Sequence, residues 1–114
     1  MEDCLFCKIV KGEIPSNKVY EDEDVLAFYD INPAAPIHIL AIPKKHISTH
    51  NEIEESDEKI IAKIHKVINN IAEEKGFKED GYRIIVNCGK DGGQEVNHLH
   101  FHILAGKKLG EKIV

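Results

Sequence analysis

Between Asn97 and Leu104 the chain reads Asn-His-Leu-His-Phe-His-Ile-Leu, so His98, His100 and His102 alternate with Leu99, Phe101 and Ile103. Imidazole titrates near neutrality, at about 6.5 when unperturbed, and can attack an electrophile, pass a proton, bind phosphate or hold a metal. Residues two apart on a strand share a face, which predicts a strand from His98 to Ala105 with its apolar residues in a core and its histidines on another surface. Neighbouring imidazoles then lie about 7 Å apart along the strand, near enough to share one phosphate. The outer two, about 13 Å apart at the backbone, are too distant for a single metal ion. A row of titratable groups in register points to chemistry rather than to the polar side of an edge strand.

Other groups of the same chemical kind lie elsewhere. His38 interrupts the apolar run Ile37–Ile42, as a core histidine bonded to backbone or as part of a site. Asp30 precedes Asn32-Pro33, where an Asx turn is expected, and a carboxylate there also offers two acceptor oxygens. Asp91-Gly92-Gly93 is a hairpin turn by composition, and it leads into the histidine row, where glycine lets backbone approach an anion. Cys4-x-x-Cys7 has a chelating interval and, with His46 and His98, completes a Cys₂His₂ set suited to tetrahedral zinc. The other reading is two reduced cysteines in an apolar helix.

The elements that must carry these groups follow from pattern. Leu5–Val10 predicts a short helix closed at Gly12, and Ile14-Pro15 an extended exit. Val19-Tyr20 and Val25–Tyr29 form a hairpin around Glu21–Asp24, and Ile37–Ile42 is apolar enough for a central strand. Ser56 is the expected N-cap of a helix that runs to about Lys75 and stops at Gly76, with Ile60, Ile64, Val67, Ile68 and Ile71 as its buried stripe. His65, at the margin of that stripe, is given no function. Tyr82–Cys88 predicts the fourth strand and His98–Ala105 the fifth. The expected class is α+β, a mostly antiparallel five-stranded sheet with one long and one short helix packed on one side.

Length and composition bound the rest. The 114 residues predict one domain, 1–114. A net charge of −5 with scattered lysines argues against binding nucleic acid, and the pair Lys44-Lys45 reads as solvated. No apolar run suits a membrane, and the odd count of three cysteines beside an N-terminus without an export pattern predicts a cytoplasmic protein with reduced thiols, Cys88 being a small buried residue.

The order His38, then Pro43-Lys44-Lys45-His46, then Gly92-Gly93-Gln94-Glu95-Val96-Asn97 running into His98–His102 resembles the histidine triad (HIT) family, from Cys4 to about Gly106. It is most similar to the Hint branch, the histidine triad nucleotide-binding proteins. The resemblance implies a homodimer whose sheets join edge to edge, purine nucleotide binding, and hydrolysis at the α-phosphate, including the P–N bond of nucleoside 5′-phosphoramidates. It implies that His100 is the nucleophile, forming a nucleotidyl-histidine that water releases, while His102 and His38 contact phosphate oxygens.

Asp30 would take the ribose hydroxyls with Ile31 beside the sugar, Asn87 would lie near the ribose or the phosphate, and Gly93, Gln94, Glu95 and Val96 would border the phosphate. Phe6, Ile9, Phe28 and Ile31 could wall a base pocket. Glu95 stands where animal members have serine, and an ionised carboxylate cannot donate to a leaving group. A raised pKa, its backbone N–H, or another group would then do so. Some bacterial relatives resemble the Cys4, Cys7, His46, His98 arrangement, which would make the zinc structural; no organic cofactor is expected. Rival readings are a dinucleoside polyphosphate hydrolase as in the Fhit branch, a nucleotide-binding module with minor catalysis, and a catalytic metal on the histidine row.

Overall fold

The computed structural model describes residues 3–112; Met1 and Glu2 of the N-terminal lead-in and Ile113 and Val114 of the tail lie outside the described residues. Its elements are α1 (Leu5–Val10), β1 (Lys18–Glu21), β2 (Val25–Tyr29), β3 (Ile37–Pro43), 3₁₀ turns at His50–Glu52 and Glu55–Asp57, α2 (Glu58–Lys75), β4 (Arg83–Ile85) and β5 (Phe101–Ala105). The strands form one antiparallel sheet in the order β1-β2-β3-β5-β4, so the apolar β3 is central and β2 and β5 flank it. Among the described residues no helix is long and apolar enough to cross a membrane.

Alternation along each strand divides the sheet into two faces. Val25, Ala27, Ile39, Ala41, Phe101 and Ile103 pack with Ile64, Val67, Ile68 and Ile71 of α2. An isolated helix of this length is marginal in water, so α2 depends on that contact; fully burying four such side chains is worth about 8 kcal/mol gross. Leu26, Phe28, Leu40 and Ile42, the intervening residues, pack with Phe6 and Ile9 of α1. The two helices therefore cover opposite faces, not one side. A six-residue α1 has too little apolar surface to share the α2 layer, and it closes the other face instead.

Local chemistry explains most element boundaries. Asp22 Oδ1 accepts the N–H groups of Asp24 and Val25 at 2.8 and 2.9 Å, which turns the chain between β1 and β2. Gly76, at φ +84°, ends α2 as its left-handed cap. The start of α2 differs from expectation. Ser56 lies within the preceding 3₁₀ turn, and a capping box of Glu54 with Asp57 makes the entry instead. Asp57 is buried against Lys45, 2.6 Å away, and Lys44 bonds Glu21 at 2.7 Å, so neither lysine is merely solvated.

Two strands are shorter than alternation suggested. The strand expected over Tyr82–Cys88 pairs only over Arg83–Ile85, and β5 joins the ladder at Phe101 rather than at His98. The cause lies between them, where the 89–94 turn draws both ends away from the sheet. His98 consequently sits in a bend, its N–H bonded to Val96 O at 2.8 Å, and His100 precedes the ladder, so the two side chains point to different places.

Candidate active site

A cavity of about 640 Å³ opens on the α1 face of the sheet. Phe6, Ile9, Phe28 and Leu40 supply apolar wall, while His38, His100 and His102 supply imidazole. Asp30 and Ile31 from the chain after β2, and Asn87, Gly93, Glu95 and Val96 from the connection between β4 and β5, complete the sequence-derived set at its border. Ile31 is 91% exposed, a large apolar side chain held at the rim. Asp30 makes the expected Asx turn, Oδ1 accepting Asn32 N–H at 2.8 Å, while Oδ2 lies 3.4 Å from His38 Nε2.

The hydrogen bonds assign a tautomer to each neutral imidazole. His100 Nδ1 lies 2.7 Å from the carbonyl oxygen of His98, which can only accept, so His100 donates there and its Nε2 carries a lone pair. His38 Nδ1 accepts from Ala34 N–H at 3.0 Å, so its own proton sits on Nε2, which donates to His102 Nδ1 at 2.9 Å. His102 thus keeps its proton on Nε2. Burial pushes the pKa of His38 down, with Asp30 pulling it partly back. Burial, then His100 and His38, push His102 down to about 4. Three different jobs result: an unprotonated nitrogen on His100, an N–H on His102, and a ring at His38 that fixes the second from behind. The Phe6 ring stands edge-on to His100 at 5.1 Å and to His98 at 5.9 Å, restricting both.

Glycine is required in the turn before β5. A Cβ on Gly92 would lie 2.4 Å from the Cys88 carbonyl oxygen, and Gly93 has φ +76°. The expected anion cradle is altered, however. Gly93 N–H donates to Lys90 O and Gln94 N–H to Gly89 O, so these groups close the turn. The side chain of Gln94 does not reach the cavity wall; its Oε1 accepts from Gly89 N–H at 3.0 Å and its Nε2 donates to Ser48 O and Val96 O at 2.8 and 2.9 Å. Gln94 is a clamp that sets the path of Glu95 and Val96.

His98 faces a second cluster. The ligand atoms of Cys4, Cys7, His46 and His98 all lie within 4.8 Å of one another. His98 Nδ1 is 3.4 Å from Cys4 Sγ and 3.6 Å from Cys7 Sγ, and His46 Nδ1 is 3.2 Å from Cys7 Sγ. Ligands at the usual zinc distances on a tetrahedron are about 3.5 Å apart for sulfur and nitrogen, so the set fits. Its outer contacts fit too: His98 Nε2 donates to Pro43 O at 2.8 Å, leaving Nδ1 unprotonated toward the thiols, and His46 Nε2 lies 3.2 Å from Ser48 Oγ. Burial pushes the Cys7 thiol up to about 11, aided by Cys4, while burial pushes His98 down to about 4 against the pull of Pro43 O. The cluster could bind a metal. Cys88, expected to be buried, is half-buried and separate from it.

Several lining residues escaped the pattern: Leu5, Ile14, Pro15, Ser16, Asn17, Tyr29 and Asn32. Ile14-Pro15 read only as an exit from α1, and nothing in its composition says that it returns over Phe28. The return is made by a backbone bond, Tyr29 N–H to Asn17 O at 3.0 Å.

An antiparallel α+β domain with three imidazoles meeting in one cavity defines the class, and a family model decides its name. The model described as HIT domain matches residues 11–109, and the chain belongs to that family. It is 48% identical over 109 residues to the Escherichia coli (strain K12) protein named purine nucleoside phosphoramidase, covering 96% of this chain and 92% of that one. A solved histidine triad protein from Clostridium difficile is 61% identical, with TM-score 0.95 over 98% of this chain and 97% of its own. A HIT family hydrolase from Clostridium thermocellum is 54% identical, with TM-score 0.97 over 100% and 99%. The chain is a hydrolase of the HIT family.

Proposed function

We propose that this hydrolase cleaves purine nucleoside 5′-phosphoramidates through a nucleotidyl intermediate on His100. The observation that carries the reading is the His100 Nδ1–H bond to His98 O, which commits the Nε2 lone pair to the cavity side. In this reaction Nε2 attacks the α-phosphorus, a nitrogen–phosphorus bond forms, and the P–N bond to the amine breaks. The amine takes up one proton as it leaves. Water then attacks the nucleotidyl-histidine, loses a proton, and gives the nucleoside monophosphate, so the cycle consumes only water. His102 Nε2–H donates to a phosphate oxygen as charge builds there, and His38 holds that tautomer through its 2.9 Å bond. Asp30 receives the ribose hydroxyls, Ile31 covers the sugar, and the apolar wall takes the purine. Asn87, Gly93, Glu95 and Val96 border the phosphate. Gln94 acts through the turn it clamps.

The wall carries no lysine or arginine among its described residues, and its carboxylates are those of Asp30 and Glu95. Clamping a chain of phosphates calls for cations. This favours a substrate with one phosphate over a dinucleoside polyphosphate, and the name of the E. coli relative agrees. The test compares kcat/KM for adenosine 5′-phosphoramidate and diadenosine tetraphosphate in the presence of a chelator. The reading expects the phosphoramidate to be preferred by at least about tenfold, with chelation leaving the chemistry intact. The opposite order, or activity lost on chelation and restored by metal with the fold unchanged, would overturn it.

The Cys4, Cys7, His46, His98 cluster is read as a structural zinc site. Four protein ligands leave no position for water, so the ion would tie α1 to the segment bearing His100. The whole chain is read as one HIT domain in the cytoplasm, where the thiols stay reduced. It would pair with a second copy through the free edge of β4, where Ile84 is 39% exposed.

A further inference from the structure

The chain between β2 and β3 loops out after Tyr29 and returns at His38. Its base is closed by the Tyr29–Ile39 ladder pair and by Asp30 N–H, which donates to His38 O at 3.0 Å. Pro33 and Pro36 restrict the backbone on either side of Ala34 and Ala35, and Ala35 is buried as an anchor. So held, the N–H of Ala34 meets His38 Nδ1 at 3.0 Å. Ala34 itself is exposed and does not line the cavity. A donor facing Nδ1 leaves the single proton of neutral His38 on Nε2, 2.9 Å from His102 Nδ1 and 3.4 Å from Asp30 Oδ2. His38 is buried, and burial opposes a second proton on it. The chain of bonds can hold a proton in place but cannot hand it on, because His38 would be left an anion. Were His38 to exchange its tautomer, His102 would have to exchange as well. A lone pair of His102, in place of an N–H, would then face the phosphate.

We propose that Ala34 is a positioning residue for the hydrolysis: its backbone N–H, acting through His38, locks His102 in the tautomer that donates from Nε2. This rests on the phosphoramidase reading and assigns the origin of the donor which that reading places at the phosphate. The part belongs to the peptide group, not to the methyl side chain. Removing a donor aimed at developing charge lowers kcat by about 10²–10³, and a lock that is opened rather than reversed should give a share of that, about tenfold or more.

The test replaces Ala34 by L-lactate in the full-length chain, an amide-to-ester change that keeps the methyl group and exchanges one N–H for an oxygen. Ala34→Pro, which also lacks the N–H, is a second variant read in the same way. Proton–nitrogen correlation spectra of the imidazoles at neutral pH should place the protons of both His38 and His102 on Nε2 in wild type. In the ester a measurable fraction of His102 should carry its proton on Nδ1. With adenosine 5′-phosphoramidate its kcat should fall at least about tenfold while KM changes less than about threefold. Wild-type tautomers or an unchanged kcat in the ester, or a wild-type His102 protonated on Nδ1, overturn the inference and leave the phosphoramidase reading standing. Failure of wild type to hydrolyse the phosphoramidate overturns that reading and takes this inference with it.

Discussion

Phe6→Ala separates the two halves of the site more cleanly than any catalytic substitution. The ring is 5% exposed and meets Phe28, His98 and His100 edge-on at 5.6, 5.9 and 5.1 Å. Buried Phe-to-Ala changes cost about 3–5 kcal/mol. The anchorage available to α1 is of similar size, since full burial of Phe6 and Ile9 stabilises by about 5 kcal/mol and a six-residue helix has almost no stability of its own. The α2 core lies on the other face of the sheet and does not include Phe6. Phe6→Ala should therefore release α1 locally while β2, β3, β5 and α2 stay folded. Hydrogen exchange read by mass spectrometry should show residues 3–14 of the chelated variant losing their protection, with α2 protected as in wild type.

If zinc occupies the cysteine–histidine cluster, its apparent binding free energy of about 10 kcal/mol or more exceeds the lost packing. Zinc-loaded Phe6→Ala should then recover protection of residues 3–14. Its KM should stay raised because the wall is missing, and its kcat lowered because His100 has lost an edge contact. Wild-type exchange at α1 in the chelated variant would refute the reasoning, as would simultaneous loss of protection in α1 and α2.

Other outcomes follow from the same structure. Burial opposes ionisation of Asp22, but hydrogen bonds from the Tyr20 hydroxyl, Asp24 and Val25 N–H and Lys63 outweigh it and hold the carboxyl at about 2. A depressed carboxylate stabilises the fold above its unfolded pKa of about 3.9, and that contribution fades as pH falls from 4 to 2. Asp22→Asn should thus lose about 2.5 kcal/mol in urea unfolding at pH 7 and almost nothing at pH 2; an equal loss at both would show that the charge is not responsible. Gly92→Ala forces the turn to move away from Cys88 O, and should lower kcat/KM at least about tenfold through displacement of Glu95 and Val96, with a melting temperature still in the folded range. Unchanged kinetics would mean that the turn does not set the site.

The sequence carried the fold's signals unevenly. The apolar runs of β2 and β3 were legible because both faces of these strands are buried, and the stripe of α2 because it buries one face with the helical period. The side taken by α1 was not, since a helix with two large buried residues fits either face until the occupants of both are known. The spacing of the histidines pointed to His100 and His102, which meet His38 at one cavity, but uniform alternation put His98 on a shared row. In the folded chain the strand begins three residues later, and His98 turns to the cysteines while its carbonyl still holds His100. Gln94 looked like a ligand of the substrate by resemblance, and its bonds to Gly89, Ser48 and Val96 make it internal. Such bonds join residues up to 46 positions apart and leave no periodic trace.

The central claim is that His100 Nε2 becomes bonded to phosphorus. Rapid mixing of the enzyme with an adenosine 5′-phosphoramidate, quenching in alkali that preserves the nitrogen–phosphorus bond, and peptide mass spectrometry test it directly. The account predicts one adenylyl group on His100, formed within a turnover and absent from His100→Ala. An adduct on another residue, or turnover by His100→Ala at the wild-type rate, would contradict it.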